Sequence, residues 1–356
     1  MGNQALAWEC FLPGAELGEV RSQFAEAYRG QLVLVTGAGG FIGQALIKAL
    51  AAAEVRQLIL LDSAEGNLFE INRHLEAIYP HVARQSVLGS VEDRALLEKL
   101  FERSGPQVVL HAAAYKHVAM LERNPFAAIR NNVLGTYALA QVAGRYRIPL
   151  LLVSTDKAAR PHSVMGVSKR IAELLVISFS SLAARANAVR LANVIGSTGS
   201  VVPIIMGQLA RGEPVSVTNP EASRYFSTVR ETVDAILAAG IAPCRGRILL
   251  PTFRTPVNIA QLAHYLTRGK MPVHFVGLTP GEKITEDLLN PCEREIGTVN
   301  GPLSVIESRT LSMQDCDELV EKLARCLEHG DRAQLVNVLR LMVPEYLPSS
   351  LMQEQR

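Results

Sequence analysis

The run Ser154-Thr155-Asp156-Lys157-Ala158 sets a hydroxyl, a carboxylate and an amine on consecutive residues. Together they offer a hydrogen-bond donor, a general acid and a general base. A lysine works as a base near neutral pH only if its pKa falls well below the ordinary value of about 10.4, through loss of solvent or a neighbouring positive charge. Lys169, which ends the run Met165-Gly166-Val167-Ser168-Lys169, is the candidate cation. The plain alternative is a solvated polar loop with a chance ion pair. Position argues against it. Residues 150–154 read as a buried strand, and ligands of open parallel sheets lie beyond the carboxyl ends of strands.

A second pattern suits a dinucleotide. Gly37, Gly40 and Gly43 stand at the spacing GxxGxxG, between an apolar run at 31–36 and a helical pattern at 42–53. The first glycine allows a tight turn, the second lets the backbone approach a pyrophosphate, and the third lets helix and strand pack closely. The helix N-terminus at Phe41 and Ile42 adds free N–H groups and a partial positive charge for the phosphates. Asp62 ends the next strand, 19 residues after Gly43. A carboxylate there binds ribose hydroxyls and repels a 2′-phosphate. No Arg or Lys directly follows it, so NAD is favoured over NADP.

These groups need a frame. Apolar runs at 31–36, 58–62, 85–88, 107–113, 150–154 and 189–194 read as strands. Helical patterns at 42–53, 68–78, 95–104, 125–146 and 167–184 alternate with them. This alternation predicts an α/β, Rossmann-type, doubly wound parallel sheet. From about residue 195 Gly and Pro become frequent and the periodic stretches shorten, which suits a smaller α/β substrate-binding lobe. The expected division is a helical lead-in at 1–30, a dinucleotide-binding domain at 31–195, and at 196–356 mainly the substrate lobe. Some of its segments return to the sheet, and two amphipathic helices fall within 313–345.

The chain has 356 residues, 48% of them hydrophobic, enough for a large core. Lys+Arg total 36 and Asp+Glu 34, and no long basic run occurs. Neither nucleic acid nor an anionic membrane is expected as a partner. Cys10, Cys244, Cys292, Cys316 and Cys326 are scattered without CxxC pairing. They read as free thiols of a reducing compartment, with no metal site. The first 30 residues lack a signal-peptide pattern, and no apolar run is long enough to span a bilayer. The expectation is a soluble cytoplasmic protein.

Seven segments together carry a family resemblance. They are His111-Ala-Ala-Ala-Tyr-Lys-His-Val118, Asn131-Asn-Val-Leu-Gly-Thr136, Ser154-Thr-Asp-Lys-Ala158, Met165-Gly-Val-Ser-Lys-Arg170, Arg224-Tyr-Phe226, Pro280-Gly-Glu-Lys283 and Val343-Pro-Glu-Tyr346. In this order they resemble the CapD-like polysaccharide-biosynthesis group of extended short-chain dehydrogenases/reductases, which includes UDP-N-acetylglucosamine 4,6-dehydratases. The resemblance runs from about residue 30 to 347. It implies a redox-neutral lyase reaction with NAD. C4 of the sugar is oxidised, C5 loses a proton, the C6 hydroxyl leaves as water, and hydride returns to C6. Lys157 would be the C5 base, Asp156 the C6 acid and Thr155 a partner of the C4 oxygen. Lys169 would hold the nicotinamide ribose. Met165 stands where relatives carry the tyrosine that accepts the C4 hydroxyl proton, and a thioether cannot take a proton. Either Asp156 takes it, directly or through water, or the oxidation is lost. Members with methionine here tend to retain the C5 configuration.

The cofactor set thus comprises Gly37, Gly40, Phe41, Ile42, Gly43, Asp62, Ser90, Val91, Ala112, Ala113, Ala114, Asn132 and Lys169. The substrate set comprises Lys116, His117, Asn193, Arg224 and Glu282. A structural role for His117 is at least as good a reading. A UDP-linked sugar and a homo-oligomer built through helices are the implied partners. The chain departs from the family at three places. Gly89-Ser90-Val91 lacks an adenine-side aspartate, Thr279 replaces an arginine suited to a diphosphate, and the segment 248–258 has lost its glycines and aspartates. Alternatives are an epimerase or oxidoreductase on a related nucleotide-linked substrate, or a non-catalytic dinucleotide-binding protein.

Overall fold

The computed structural model describes residues 22–182, 185–253, 255–301 and 303–353. Six apolar runs become parallel strands: β1 (Leu32–Thr36), β2 (Gln57–Asp62), β3 (Ala83–Leu88), β4 (Val108–His111), β5 (Leu150–Thr155) and β6 (Ala186–Leu191). Four short strands lie outside this sheet: β7 (Asn193–Val194), β8 (Val215–Val217), β9 (Ser223–Arg224) and β10 (Phe226–Ser227). The chain then returns as β11 (Ile248–Pro251), parallel to β6. β12 (Val257–Asn258) and β13 (Val273–Phe275) pair with β9 and β8, and β7 pairs with β10. β14 (Arg294–Val299) and β15 (Leu303–Glu307) close the far edge antiparallel. The nine-stranded order is β3-β2-β1-β4-β5-β6-β11-β15-β14. It places the strand reversal beside β1 and β4, the crevice where doubly wound sheets bind ligands.

Helices cover both faces. α1 (Phe41–Ala52), α2 (Glu65–Ile78) and α9 (Val229–Gly240) pack on one side. α3 (Arg94–Ser104), α6 (Gly135–Arg145), α7 (Val164–Ser178), α11 (Met313–His329) and α12 (Arg332–Met342) pack on the other. β1 shows why. Leu32 and Leu34 join the second layer, Val33 and Val35 the first, because successive side chains of a strand point to opposite faces. α8 (Val201–Ala210) and α10 (Ile259–Thr267) enclose a separate small core with Val215, Val217 and Phe226. All residues of α7 are buried, so this helix is the central beam of its layer.

Several boundaries differ from the sequence pattern. Of the lead-in, residues 1–21 lie outside the described range, and Ala25–Tyr28 forms a 3-10 turn rather than an α-helix. Tyr28 anchors it by donating to Leu237 O at 2.9 Å. The single helix expected over 125–146 is α5 (Pro125–Ala128), a π turn at Ile129–Leu134 and then α6, with α4 (Val118–Arg123) ahead of them. The expected strand 189–194 breaks after Leu191, because Asn193 pairs with Phe226 in a different sheet. α7 starts three residues before the expected 167, where Ser163 Oγ accepts the Gly166 N–H at 3.0 Å. It ends at Ser178, and residues 183–184 of the expected helix lie outside the described range.

Candidate active site

The glycine loop is built by close approach. Gly37 has φ +68°, and a Cβ there would lie 2.6 Å from Ala113 N. A Cβ on Gly43 would lie 2.0 Å from Gly37 O. No side chain caps α1, whose N-cap is Gly40. The amides at Phe41 and Ile42 thus open a helix end that suits a phosphate. Gly39 was not singled out from spacing, yet a Cβ there would meet Asn67 Cβ at 2.5 Å. Asp62 Oδ2 accepts the Gly39 N–H and Oδ1 the Ala64 N–H, each at 2.8 Å. The carboxylate therefore braces the loop at the rim where a ribose would sit. Val91 is buried under Gly135, and Ser90 Oγ accepts the Glu92 N–H. These features, a cradle that side chains would fill and an uncapped helix, fit a dinucleotide.

Behind the loop, His111 is fully buried at the end of β4. Thr136 donates its hydroxyl proton to Asn132 O at 2.7 Å, so its oxygen accepts from His111 Nε2 at 2.9 Å. His111 Nδ1 then accepts from the Thr36 hydroxyl at 2.7 Å. The neutral Nε2–H tautomer follows from this chain of bonds. Burial, with Lys169 nearby, pushes its pKa down to about 3. Asn132 sits in the π turn, a feature common at functional sites. Its amide accepts the Tyr115 N–H and donates to Tyr115 O and to Ser168 Oγ, at 2.8–3.0 Å. It pins the Ala112-Ala113-Ala114 loop to α7 as a brace.

At the end of β5, Thr155 Oγ1 donates to Asp156 Oδ1 at 2.8 Å, and Lys157 Nζ donates to the same oxygen at 3.0 Å. Asp156 is fully buried, and its Oδ2 has no hydrogen-bond partner. Asn193, expected to touch substrate, instead accepts from Lys157 Nζ at 3.2 Å and donates to Tyr225 O. The condition set for Lys157 as a base is not met in this state. Burial pushes its pKa down, but the carboxylates of Asp156 and Glu286 outweigh burial and hold it above the ordinary lysine value. The cation acting on it is Arg224, not Lys169. Lys169, 4% exposed on α7, is itself lowered to about 8 by burial against the pull of Glu173. Met165 packs in an apolar cluster with Leu121, Val164, Val336 and Met352.

The substrate set divides. Lys157, Arg224 and Glu282 line one cavity of about 170 Å³ with Val118, Ser163 and Glu286. Lys116 and His117 are exposed on the loop before α4, and the His117 ring fills the space a Cβ on Gly199 would need. That contact favours the packing role for His117. Arg224 belongs to the expected substrate set. Its Nη1 and Nη2 donate to the carbonyls of Ser223, Lys283 and Ile284 at 2.8 Å, and Nη2 to Glu282 Oε1 at 3.2 Å. The guanidinium fork is thus spent on holding the 279–286 loop. Glu282 accepts from Thr218 and from the Thr279 N–H and hydroxyl, so it ties that loop's turn.

Comparison with known proteins decides the family. Residues 33–307 match the family described as polysaccharide biosynthesis protein. The chain belongs to that family. It is 37% identical over 281 residues to the probable polysaccharide biosynthesis protein EpsC of Bacillus subtilis, covering 76% of this chain and 47% of the relative. It is 38% identical over 271 residues to the capsular polysaccharide biosynthesis protein CapD of Staphylococcus aureus, covering 73% and 45%. The chain thus spans about half the length of these relatives. Among solved structures it resembles Pen from Bacillus thuringiensis, with TM-score 0.72 and 23% identity over 80% of this chain and 91% of that one. It also resembles a DesIV variant, a dTDP-glucose 4,6-dehydratase from Streptomyces venezuelae with NAD bound, with TM-score 0.64 and 20% identity over 72% and 87%. The fold is that of the extended short-chain dehydrogenases/reductases.

One residue of this site was not among the sequence candidates. Glu286 is 6% exposed in the cavity wall, 3.6 Å from Lys157 Nζ. The signal available was an acidic residue three positions after Lys283, beside Leu288 and Leu289, in a stretch without helical periodicity. Among the described residues no cluster could hold a metal, no helix is long and apolar enough to cross a membrane, and Cys244, Cys292, Cys316 and Cys326 are free thiols.

Proposed function

We propose that this protein modifies a nucleotide sugar, acting as a 4,6-dehydratase on UDP-N-acetylglucosamine or a related nucleotide sugar. The observation that carries the reading is Asp156, buried with one free oxygen and bridging Thr155 and Lys157. An elimination across C5 and C6 needs a proton acceptor and a proton donor side by side, and this pair supplies both. The names of the curated relatives and the dehydratase among the fold neighbours support it. A bound nicotinamide dinucleotide, NAD in preference to NADP because of Asp62, supplies the reversible hydride acceptor. Gly37, Gly40, Phe41, Ile42, Gly43 and the Ala112-Ala113-Ala114 loop hold it.

Met165 offers no proton acceptor, so Asp156 Oδ2 takes the C4 hydroxyl proton. The same group later returns that proton to the departing C6 hydroxyl. Lys157, once neutral, removes the C5 proton, exchanges with solvent, and delivers a proton to C5 when C6 is reduced, while Thr155 orients the C4 oxygen. Lys169 keeps a positive charge near the ribose below about pH 8.

The test is mass spectrometry of a nucleotide-sugar panel incubated with the protein and NAD in deuterated water. The expected product has lost one water and gained deuterium at C5, and Asp156→Asn abolishes it. Conversion without loss of water indicates an epimerase, and net NADH an oxidoreductase. No conversion of any panel member overturns the proposal.

A further inference from the structure

Glu286 is a charged group that the proposed reaction does not use. Its side chain is 4% exposed and its Oε2 has no hydrogen-bond partner. Three cations converge on it from three segments. Oε1 lies 3.6 Å from Lys157 Nζ and 3.7 Å from Arg224 Nε, and Oε2 lies 3.8 Å from Lys283 Nζ. A buried carboxylate left short of hydrogen bonds is costly, so each such group calls for an explanation. The other charged groups of this wall are drawn elsewhere. Glu282 is tied to Thr218, Thr279 and Arg224. Asp287 pairs with Lys283 at 2.9 Å and with Arg160 at 3.7 Å, and His162 lies on the cavity rim beside them.

Lys157 faces the complementary set. Its ammonium meets Asp156 Oδ1 at 3.0 Å, Asn193 Oδ1 at 3.2 Å and Glu286 Oε1 at 3.6 Å. In the reaction proposed above Asp156 changes charge during each turnover. Asp156 therefore cannot hold Lys157 throughout, and a second carboxylate is needed. We infer that Glu286 is a positioning residue for Lys157. It holds the amine together with Asp156 and sets whether Lys157 stands as a fixed cation or can act as a base. An opposite charge at this separation favours the charged form of an amine, and the raised pKa of Lys157 agrees with it.

The inference rests on Lys157 being the base, so its test reads Lys157 itself and needs no turnover. The chain has eight lysines, few enough to resolve after labelling lysine Cε with 13C. Lys157→Arg identifies the resonance by its loss. In the 356-residue chain Lys157 titrates above the ordinary lysine range, and in Glu286→Gln its midpoint falls by about one pH unit or more. Lys48 and Lys322, on α1 and α11, do not move. If Glu286→Gln does not fold, Glu286→Asp keeps the charge but withdraws it, and gives a smaller fall in the same direction. A Lys157 midpoint unmoved in the folded variant overturns the inference. A moved midpoint in a protein that dehydrates no nucleotide sugar upholds the link between Glu286 and Lys157 and removes the dehydratase reading alone.

Discussion

Two lysines twelve positions apart exchange the electrostatic roles that their spacing suggests. Lys157 was to be neutralised by Lys169, yet Asp156 and Glu286 keep it charged, and Lys169 is the amine that burial depresses. A consequence for stability follows. Lys169 has a folded pKa of about 8 against an unfolded value near 10.5. Between these pH values the unfolded chain binds more protons, so stability rises with pH across that window, and below it the full penalty applies. Lys169→Met removes a burial penalty of about 2–4 kcal/mol. Its melting temperature at pH 7 should exceed that of the wild type, and the rise from pH 8 to 10.5 should flatten in calorimetry. An unchanged slope would show that Lys169 is not the group responsible. On the proposed role of Lys169 at the ribose, cofactor affinity should fall in the same variant.

Elements position these residues through a few obligatory contacts. The turn between β1 and α1 closes only because Gly43 presents no Cβ to Gly37 O, 2.0 Å away from where one would sit. Gly43→Ala should leave the sheet folded but weaken dinucleotide binding at least about tenfold, a loss of about 1.4 kcal/mol, measured by titration calorimetry. Wild-type affinity in that variant would mean that the loop is not the binding element. His111 is the joint between β1, β4 and the start of α6, hydrogen-bonded at both ring nitrogens to Thr36 and Thr136. With its pKa near 3 it stays neutral through the physiological range. The unfolded histidine gains a proton below about pH 6.5, so this joint loses stability as pH falls from about 6.5 toward 3. Imidazole 15N shifts should report a neutral Nε2–H ring at pH 5. Titration near the ordinary histidine value would contradict the assignment.

At the scale of the molecule, a buried ion network ties the late part of the chain to the early sheet. Arg190 of β6 grips two carboxylates, Glu173 of α7 at 2.8–2.9 Å and Glu293 ahead of β14 at 2.7–2.8 Å. Arg170 adds a contact to Glu293 at 2.7 Å. Ser154, next to Thr155, donates to Glu173 at 2.7 Å, so the network reaches the site. Burial pushes the Glu293 carboxyl up, but Arg190 and Arg170 prevail and hold it near 2. Its contribution is complete above about pH 4.5 and is lost as pH falls toward 2. Glu293→Gln leaves a buried guanidinium short of a partner and should cost about 3–5 kcal/mol in urea unfolding. A cost below about 1 kcal/mol would mean that the network is not a structural tie. The complete burial of α7 within its own chain also means that a homo-oligomer must use other surfaces.

The glycine spacing, Asp62 at the end of β2 and the polar cluster after β5 were legible in the order of residues. They are local events: a turn, a strand end and a helix start depend on neighbours within a few positions. The parallel strands were legible for the same reason, as short apolar runs bounded by polar turns. What sequence could not supply was which distant groups meet. Glu286 comes to within 3.6 Å of Lys157, and Arg224 spends its donors on carbonyls some sixty residues away. Each pairing joins segments whose separation in the chain says nothing about their distance in space. The charge state of Lys157 depends on two carboxylates, one next to it in sequence and one 129 residues later. Local chemistry named the polar cluster after β5, and the packing of the late loop against it decided the charge on Lys157.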